Sequence, residues 1–467
     1  MKINDNKLFK FIRKNIKYVI VFFLALFALM FFSQLNFYDA AWNYGFSYAF
    51  SKGEIPFKDF NMITPGLYNF VMSLGLHISH NNLMFLIEQS LLITLTFFIV
   101  YRMYGKVVWL FLFFMTFPSF YAFTPTYNFF LMFLTILLIY LEKEEANDYL
   151  IGVVLALCIL TKHTVGIFLI IPSFIFYFKD KSKLFRRFIG CLIPGVIYIV
   201  YLLIVGSFKD FFDLCVLGLF DFASKNGEFI VGYVVLTVIL LILNIVYIIF
   251  NKKDIMGYYL LCFFSVMIPI FSYYHFSVYL AICSLMLLSI LKKKKVSDKY
   301  ICFLGVVLTS ITFTFNLFMD SEKYFLYAHN FDYLYVNADN RDNFNRVNKL
   351  YLKYRSDSNV NILSSKGVLV KIINEEKLDY YMVPLNGNFG YNGTMKMINK
   401  VRNNDDGYYI IDMEEYRRTK EYGGQFATDL CEYIINNSQL VEETKNYNVY
   451  FYNKKVIFVY DVGSRDL

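Results

Sequence analysis

Residues 36–66 read NFYDAAWNYGFSYAFSKGEIPFKDFNMITPG, a run that gathers two aspartates, a glutamate, two lysines and two prolines. The chain around it is 57% hydrophobic and only 18% charged. One apolar span precedes the run and a long series follows it. It therefore reads as the first loop on the far side of a membrane, carrying the reacting carboxylate. The rest of the chain then reads as a greasy cleft beneath that loop and a soluble cap above it.

Of the 467 residues 20% are aromatic, with 53 Phe and 40 Tyr. Between Tyr18 and Phe318 the apolar residues come in blocks approaching ~20, the length of a bilayer span, which excludes a soluble globular protein. Spans are expected at 17–35, 83–101, 107–123, 127–141, 150–161, 164–178, 188–206, 229–250, 256–271, 276–291 and 299–318. The net charge of +8 sits in short loops between them, which points to topology and not to nucleic acid. Basic residues mark the N-terminus, Arg102 to Lys106, Lys179 to Arg187, Lys252 with Lys253, and Lys292 to Lys295. Eleven spans place all of these on one side, the cytoplasm. Drawing 150–178 as one helix would send the five basic residues of KDKSKLFRR outside, so the chain is split at Thr161–Lys162–His163–Thr164. The first span has basic residues before it and no small-residue cleavage site after it, as in a retained helix. The seven cysteines show no disulfide or metal spacing.

On this topology residues 36–66, 124–128, 161–164, 207–228 and 272–275 face outward, with everything after Phe318. Leu67 to Ser79 is too short to span and is expected along the outer interface. From Asp320 apolar runs shrink to strand or short-helix length, as in NVNILSS, LDYYMVPL, GYYIID and NVYFYN, with an amphipathic stretch from Gly423 to Asn436. The expected architecture is an α-helical polytopic membrane protein, residues 1–319, followed by a small extracytoplasmic α/β domain, residues 320–467. That domain has one histidine, His329, no Gly-rich phosphate loop and no Ser/His/Asp set, so positioning or acceptor binding is expected of it. The Lys, Asn and Ile richness fits an AT-rich bacterial genome, and with the spans the expected location is the bacterial plasma membrane.

Asp39 lies a few residues past the end of the first span, where partial desolvation would raise its pKa and its basicity. A lone loop aspartate is more often simply solvated. Its surroundings speak against that: an apolar–aromatic helix, then Lys52-Gly53-Glu54-Ile55-Pro56-Phe57-Lys58-Asp59-Phe60, then Thr64-Pro65-Gly66. Here the chain resembles the GT-C membrane glycosyltransferases, in the bacterial branch akin to protein O-mannosyltransferases and the lipid A aminoarabinose transferase. The likeness rests on Asp39, on Gly53, Pro56, Phe57, Asp59 and Phe60, and on Pro65. It extends to Tyr127-Asn128, Gly152 with Leu160-Thr161-Lys162, Tyr274-His275-Phe276 and the soluble domain after the last span. The chain departs from the usual pattern in having Ala40 after Asp39, where many members have a second acid, and no acid between Thr124 and Asn128. A metal or second-carboxylate role is therefore not indicated, and no cofactor is expected.

The resemblance implies that a sugar on a polyprenyl phosphate is attacked by a hydroxyl of an extracytoplasmic glycan, lipid or protein, with inversion. A phosphate leaving group needs no general acid, so one carboxylate suffices. Asp39 is the expected base, with Asp59 as a second catalytic candidate that equally fits bracing of the loop. Lys162, His163 and His275 are expected to hold the donor phosphate, an ammonium suiting it as a point charge. The plainer readings are a snorkelling lysine and a structural helix-end histidine. Tyr38, Trp42, Tyr127 and Asn128 are expected to position the acceptor or the loop. Asp210, Asp213 and Asp221, in a loop able to close over the site, read chiefly as solubilising. The alternatives are a transporter or flippase of a lipid-linked saccharide and a polysaccharide polymerase or ligase. A transporter is expected to show repeats or midplane charges, which the chain lacks. A polymerase or ligase usually carries its large loop between late spans.

Overall fold

The computed structural model describes residues 5–32, 38–117, 119–225, 227–319, 324–325, 335–336, 338–356, 359–403 and 406–453. Among them six helical stretches are long and apolar enough to cross a membrane: Asn15–Phe32, Asn82–Thr116, Lys181–Ile204, Val231–Phe250, Tyr273–Lys293 and Asp298–Phe318. The other expected spans are shorter helices, Tyr127–Lys143, Asp148–Thr161 and Ile255–Phe263, or the broken run His163–Tyr177. The expected span at 107–123 is α-helical only over Val108–Thr116, since Phe117, preceding Pro118, turns to an extended conformation, and a 3-10 turn follows at Tyr121–Phe123. The split before the sixth apolar stretch falls where expected, at Lys162, whose extended backbone (φ −148°, ψ 94°) ends Asp148–Thr161.

Two helices meet unusually closely. A Cβ on Gly152 would stand 2.1 Å from the carbonyl oxygen of Arg187, and one on Gly190 would stand 2.2 Å from that of Tyr149. Small residues at such crossings let helix backbones touch and gain dispersion contacts where lipid offers no hydrophobic drive. Neither neighbour is a flexible side chain, so Gly190→Leu is expected to separate the helices and destabilise the protein by ~1–3 kcal/mol. Thermal unfolding in detergent checks this, and a midpoint equal to that of the unaltered protein would show the contact to be unimportant.

At one end of the bundle the basic loops gather, with Lys143, Lys252, Lys253 and Lys293 around one open hollow. At the other end the stretches assigned outward by charge come together: 39–64, Tyr127, 162–164, 219–223, Ile270 and His275 line two adjoining cavities. Leu67–Leu76 packs there with Tyr68, Asn69, Met72, Ser73, Gly75 and Leu76 buried and Phe70, Leu74 and Ile78 exposed, the one-sided pattern expected of it.

The C-terminal region holds a four-stranded sheet in the spatial order Asn359–Leu363, Gly407–Asp412, Tyr447–Tyr452, Gln439–Glu443. The first two strands are parallel and the other pairs antiparallel. A parallel pair needs a crossover, and Gly367–Ile373 and Gly393–Asn403 lie between those strands in the chain. Three of the four apolar runs thus match, in whole or part, strands of this sheet. The fourth, LDYYMVPL at 378–385, forms turns and an isolated antiparallel bridge between Leu385 and Phe426 instead of a strand, and two of its polar groups reach the first loop. Leu378 N–H donates to Glu54 Oε2 (3.1 Å), and the Tyr380 hydroxyl donates to the Phe57 carbonyl. His329 lies outside the described residues.

Candidate active site

The loop 36–66 opens with the helix Tyr38–Ser51. Asp39, Trp42, Asn43 and Phe46 follow at i, i+3, i+4 and i+7, so they share one face, and that face lines the first cavity. The helix also packs on Leu67–Leu76, where Asn69 Nδ2 donates to the Asn43 carbonyl (2.9 Å), and on the C-terminal helix Gly367–Ile373, so closely that a Cβ on Gly45 would overlap Val368. The Tyr38 side chain lies outside the described residues.

Asp39 sits in the first turn of its helix, where the positive helix end favours a carboxylate. Burial outweighs this and pushes its pKa up to about 6, with the Lys162 charge pulling the other way. Its main-chain oxygen accepts from Asn43 Nδ2 (2.6 Å), while its carboxylate accepts no hydrogen bond from the described residues. Lys162 projects from the break between helices and donates to Asn128 Oδ1 (3.0 Å), with its ammonium 5.4 Å from the centre of the Tyr127 ring. Burial pulls its pKa down to about 8, opposed by the Asp39 charge. The two groups feel each other without forming a direct ion pair among the described residues, which leaves room between them.

His275 completes the junction. Buried, it lines both cavities, its Nδ1 is 3.1 Å from Ser272 Oγ, and its Nε2 has no hydrogen-bond partner among the described residues. His163 lines the second cavity beside Lys162, and Tyr127 lines both. Asn128 is fully buried and holds Lys162 instead of facing the cavities.

Asp59 is not brought to this group. It lines neither cavity, and its Oδ2 accepts from Ile55 N–H (2.7 Å), which closes the Gly53–Phe60 turn. This is the bracing role weighed against a catalytic one. Within that turn Phe57 adopts φ +69°, buries its ring against Phe211 (5.3 Å between centroids), and is held through its carbonyl by Tyr380. Asp213 and Asp221 are likewise not mere solubilisers: Asp213 pairs with Lys396 (2.7 Å) and Asp221 accepts from Asn392 N–H (2.9 Å). They fix the C-terminal region over the loop.

The cavities differ in kind. The larger, about 270 Å³, holds Lys162 and His163 among apolar walls that include Phe168, Leu219, Phe222, Ile268 and Ile270. Phe168 and Ile268 are also 48% and 53% exposed, so this cavity opens at an apolar surface suited to lipid. The smaller, about 70 Å³, holds Asp39 among carboxamides, including Asn61, Asn388 and Gln425, with Val383 and Leu385 beside them. Sequence reasoning missed these. Asn43 was findable from helical spacing to Asp39, but Asn388 and Gln425 reach the site only through tertiary packing. Among the described residues no three His, Cys, Asp or Glu side chains gather as a metal site.

No protein-family profile matches the chain, and no curated protein matches it in sequence. Solved structures do. ArnT from Cupriavidus metallidurans bound to undecaprenyl phosphate matches with a TM-score of 0.56 at 10% identity, covering 94% of this chain and 98% of that one. The apo state of the same protein gives 0.55 at the same identity and coverage. The fold is therefore that of these ArnT structures along nearly the whole chain. The architecture expected from the loop motifs is the one found.

Proposed function

We propose that this chain, built on the ArnT fold, is a membrane glycosyltransferase. It moves a sugar from a polyprenyl-phosphate carrier to a hydroxyl of an extracytoplasmic acceptor, with inversion at the anomeric carbon. The observation that carries this is the split cavity: a cation in an apolar half open toward lipid, and in a polar half a desolvated carboxylate with no ion pair among the described residues. The isoprenoid and its phosphate occupy the Lys162 side, with Lys162, His163 and the Nε2 of His275 turned to the phosphate oxygens. Asp39 takes the proton from the attacking hydroxyl as the carbon–oxygen bond forms, and the sugar–phosphate bond breaks with its electron pair leaving on the phosphate. The wild-type orientation has the N-terminus in the cytoplasm and the C-terminal region, residues 320–467, outside, in a bacterial plasma membrane.

The pH profile of transfer tests the roles of both charges. Below about 6 Asp39 is protonated and accepts no proton, so the rate falls as pH drops through that value. Above about 8 Lys162 loses the charge that steadies the leaving phosphate, so the rate falls again. The expected result is a bell between these limits for the release of polyprenyl phosphate by protein in nanodiscs. Lys162→Ala is expected to erase the alkaline limb and raise the donor KM by ~10–100-fold, the scale of a lost hydrogen bond to a charged group. A profile flat from pH 5 to 7 would remove Asp39 from the role of base.

A further inference from the structure

The chamber around Asp39 has a composition that selects its occupant. Five carboxamides line it, Asn43, Asn61, Asn69, Asn388 and Gln425, together with Trp42, and no lysine or arginine does so among the described residues. Asn61 is nine-tenths buried or more, donates from Nδ2 to the Asn388 carbonyl (2.9 Å), and leaves its Oδ1 without a hydrogen-bond partner. An unpaired buried acceptor costs free energy unless a ligand donor meets it. Carboxamides present both donors and acceptors, matching hydroxyls, which are themselves both. An aromatic face beside them fits the apolar face of a pyranose. A phosphate or carboxylate in the same place would meet the Asp39 carboxylate with no cation of its own chamber to pair it.

From this we infer that the acceptor presented to Asp39 is an uncharged glycan, and that the C-terminal region, through Asn388 and Gln425, forms the wall that selects it. The inference rests on the reading of the Asp39 side as the acceptor side. Both elements of the wall are held in place: Asn388 by Asn61, the segment around it by the Asp213–Lys396 pair and the Asp221–Asn392 hydrogen bond, and the Gln425 carbonyl by Asn386 N–H (2.7 Å). Part of the selecting wall thus comes from a region of the chain remote from Asp39.

Binding can be read without turnover. The chain has two tryptophans, Trp42 and Trp109, so Trp109→Phe leaves a single emitter, in the chamber wall. The full-length variant in nanodiscs, free of sugar detergents, is titrated with a panel of neutral methyl hexosides and pentosides, then with glucuronate and glycerol phosphate. The charged probes are repeated with Lys162→Ala added, which removes the donor-side cation. The expected result is a saturable change in Trp42 emission with at least one neutral sugar, and binding of every charged probe at least tenfold weaker. Asn61→Ala and, separately, Gln425→Ala are expected to weaken the neutral sugar at least fivefold. Charged probes binding as tightly as neutral ones in the Lys162→Ala background overturn the inference, as does a panel that leaves the emission unchanged. If neutral sugars bind but no transfer from polyprenyl phosphate is found, the transferase reading falls and the glycan chamber stands. If transfer follows the pH bell but charged probes win, the transferase stands and this inference falls.

Discussion

Asp39→Asn is expected to reduce transfer by on the order of 10²–10⁴, the usual contribution of a general base, with membrane insertion and thermal stability unchanged. The amide keeps the size of the side chain, and the carboxylate it replaces makes no hydrogen bond to the described residues, so folding loses little. What is lost is a proton acceptor whose pKa burial has moved to about 6, near working pH. The check compares surface glycans of a deletion strain complemented with either form, alongside release of polyprenyl phosphate in vitro. Restoration by Asp39→Asn at the level of the unaltered protein would sink the assignment. Accumulation of lipid-linked saccharide on the inner leaflet of the deletion strain would point to a flippase instead. Asp59→Asn is the control: its bond to Ile55 N–H is kept by an amide oxygen, and the rate should stay within a factor of a few.

Arg187→Met is expected to destabilise the protein by about 3–5 kcal/mol, because it strands a buried carboxylate. The guanidinium binds both oxygens of Glu142, at 2.6 and 2.9 Å, and reaches Asp148 Oδ1 at 3.1 Å and Ser173 Oγ at 3.0 Å. The Arg187 and Glu142 side chains are 4% and 1% exposed. The hydroxyls of Tyr259 and Tyr177 donate one to each oxygen of Glu142, at 2.8 and 3.1 Å. The cluster ties Tyr127–Lys143, Asp148–Thr161, Ile171–Tyr177, Lys181–Ile204 and Ile255–Phe263 into one knot. Removing both charges, as Arg187→Met with Glu142→Leu, should recover much of the loss, since desolvation of the pair disappears with it. A denaturation midpoint for Arg187→Met equal to that of the unaltered protein would show the pair to be ornamental.

That knot also marks where sequence reasoning stops. Arg186 and Arg187 read as topology charges in KDKSKLFRR, and the helix Lys181–Ile204 takes both into its first turns, against Asp148 and Glu142. Their partners lie 38 and 45 residues earlier, and nothing local announces the pairing. Apolar length and helix breaks are local properties, which is why the apolar stretches and the break at Lys162 were legible. That Asp39, Lys162 and His275 lie together around adjoining cavities was legible too, from their place at span ends in loops of one polarity. Between the two readings of Asp59 the sequence could not choose, because motif position does not reveal whether a carboxylate faces a cavity or its own turn. The strand Gln439–Glu443 is polar and exposed on most residues, so it lacked the alternation that marks a buried one.

The chamber's floor and roof are made far apart in the chain: Asn61 and Asn388 are 327 residues from each other. Insertion of the helices into lipid and competence to react are therefore separate events in the life of the molecule. The helices through Met319 are synthesised first, while Asp39 still stands open on one side and water can stand where the acceptor belongs. Only when the last third of the chain has folded back onto the first loop is the polar half walled. On the proposed reading a newly made molecule is not yet able to select an acceptor, and a copy truncated before residue 383 lacks Val383, Leu385, Asn388 and Gln425 of the chamber lining.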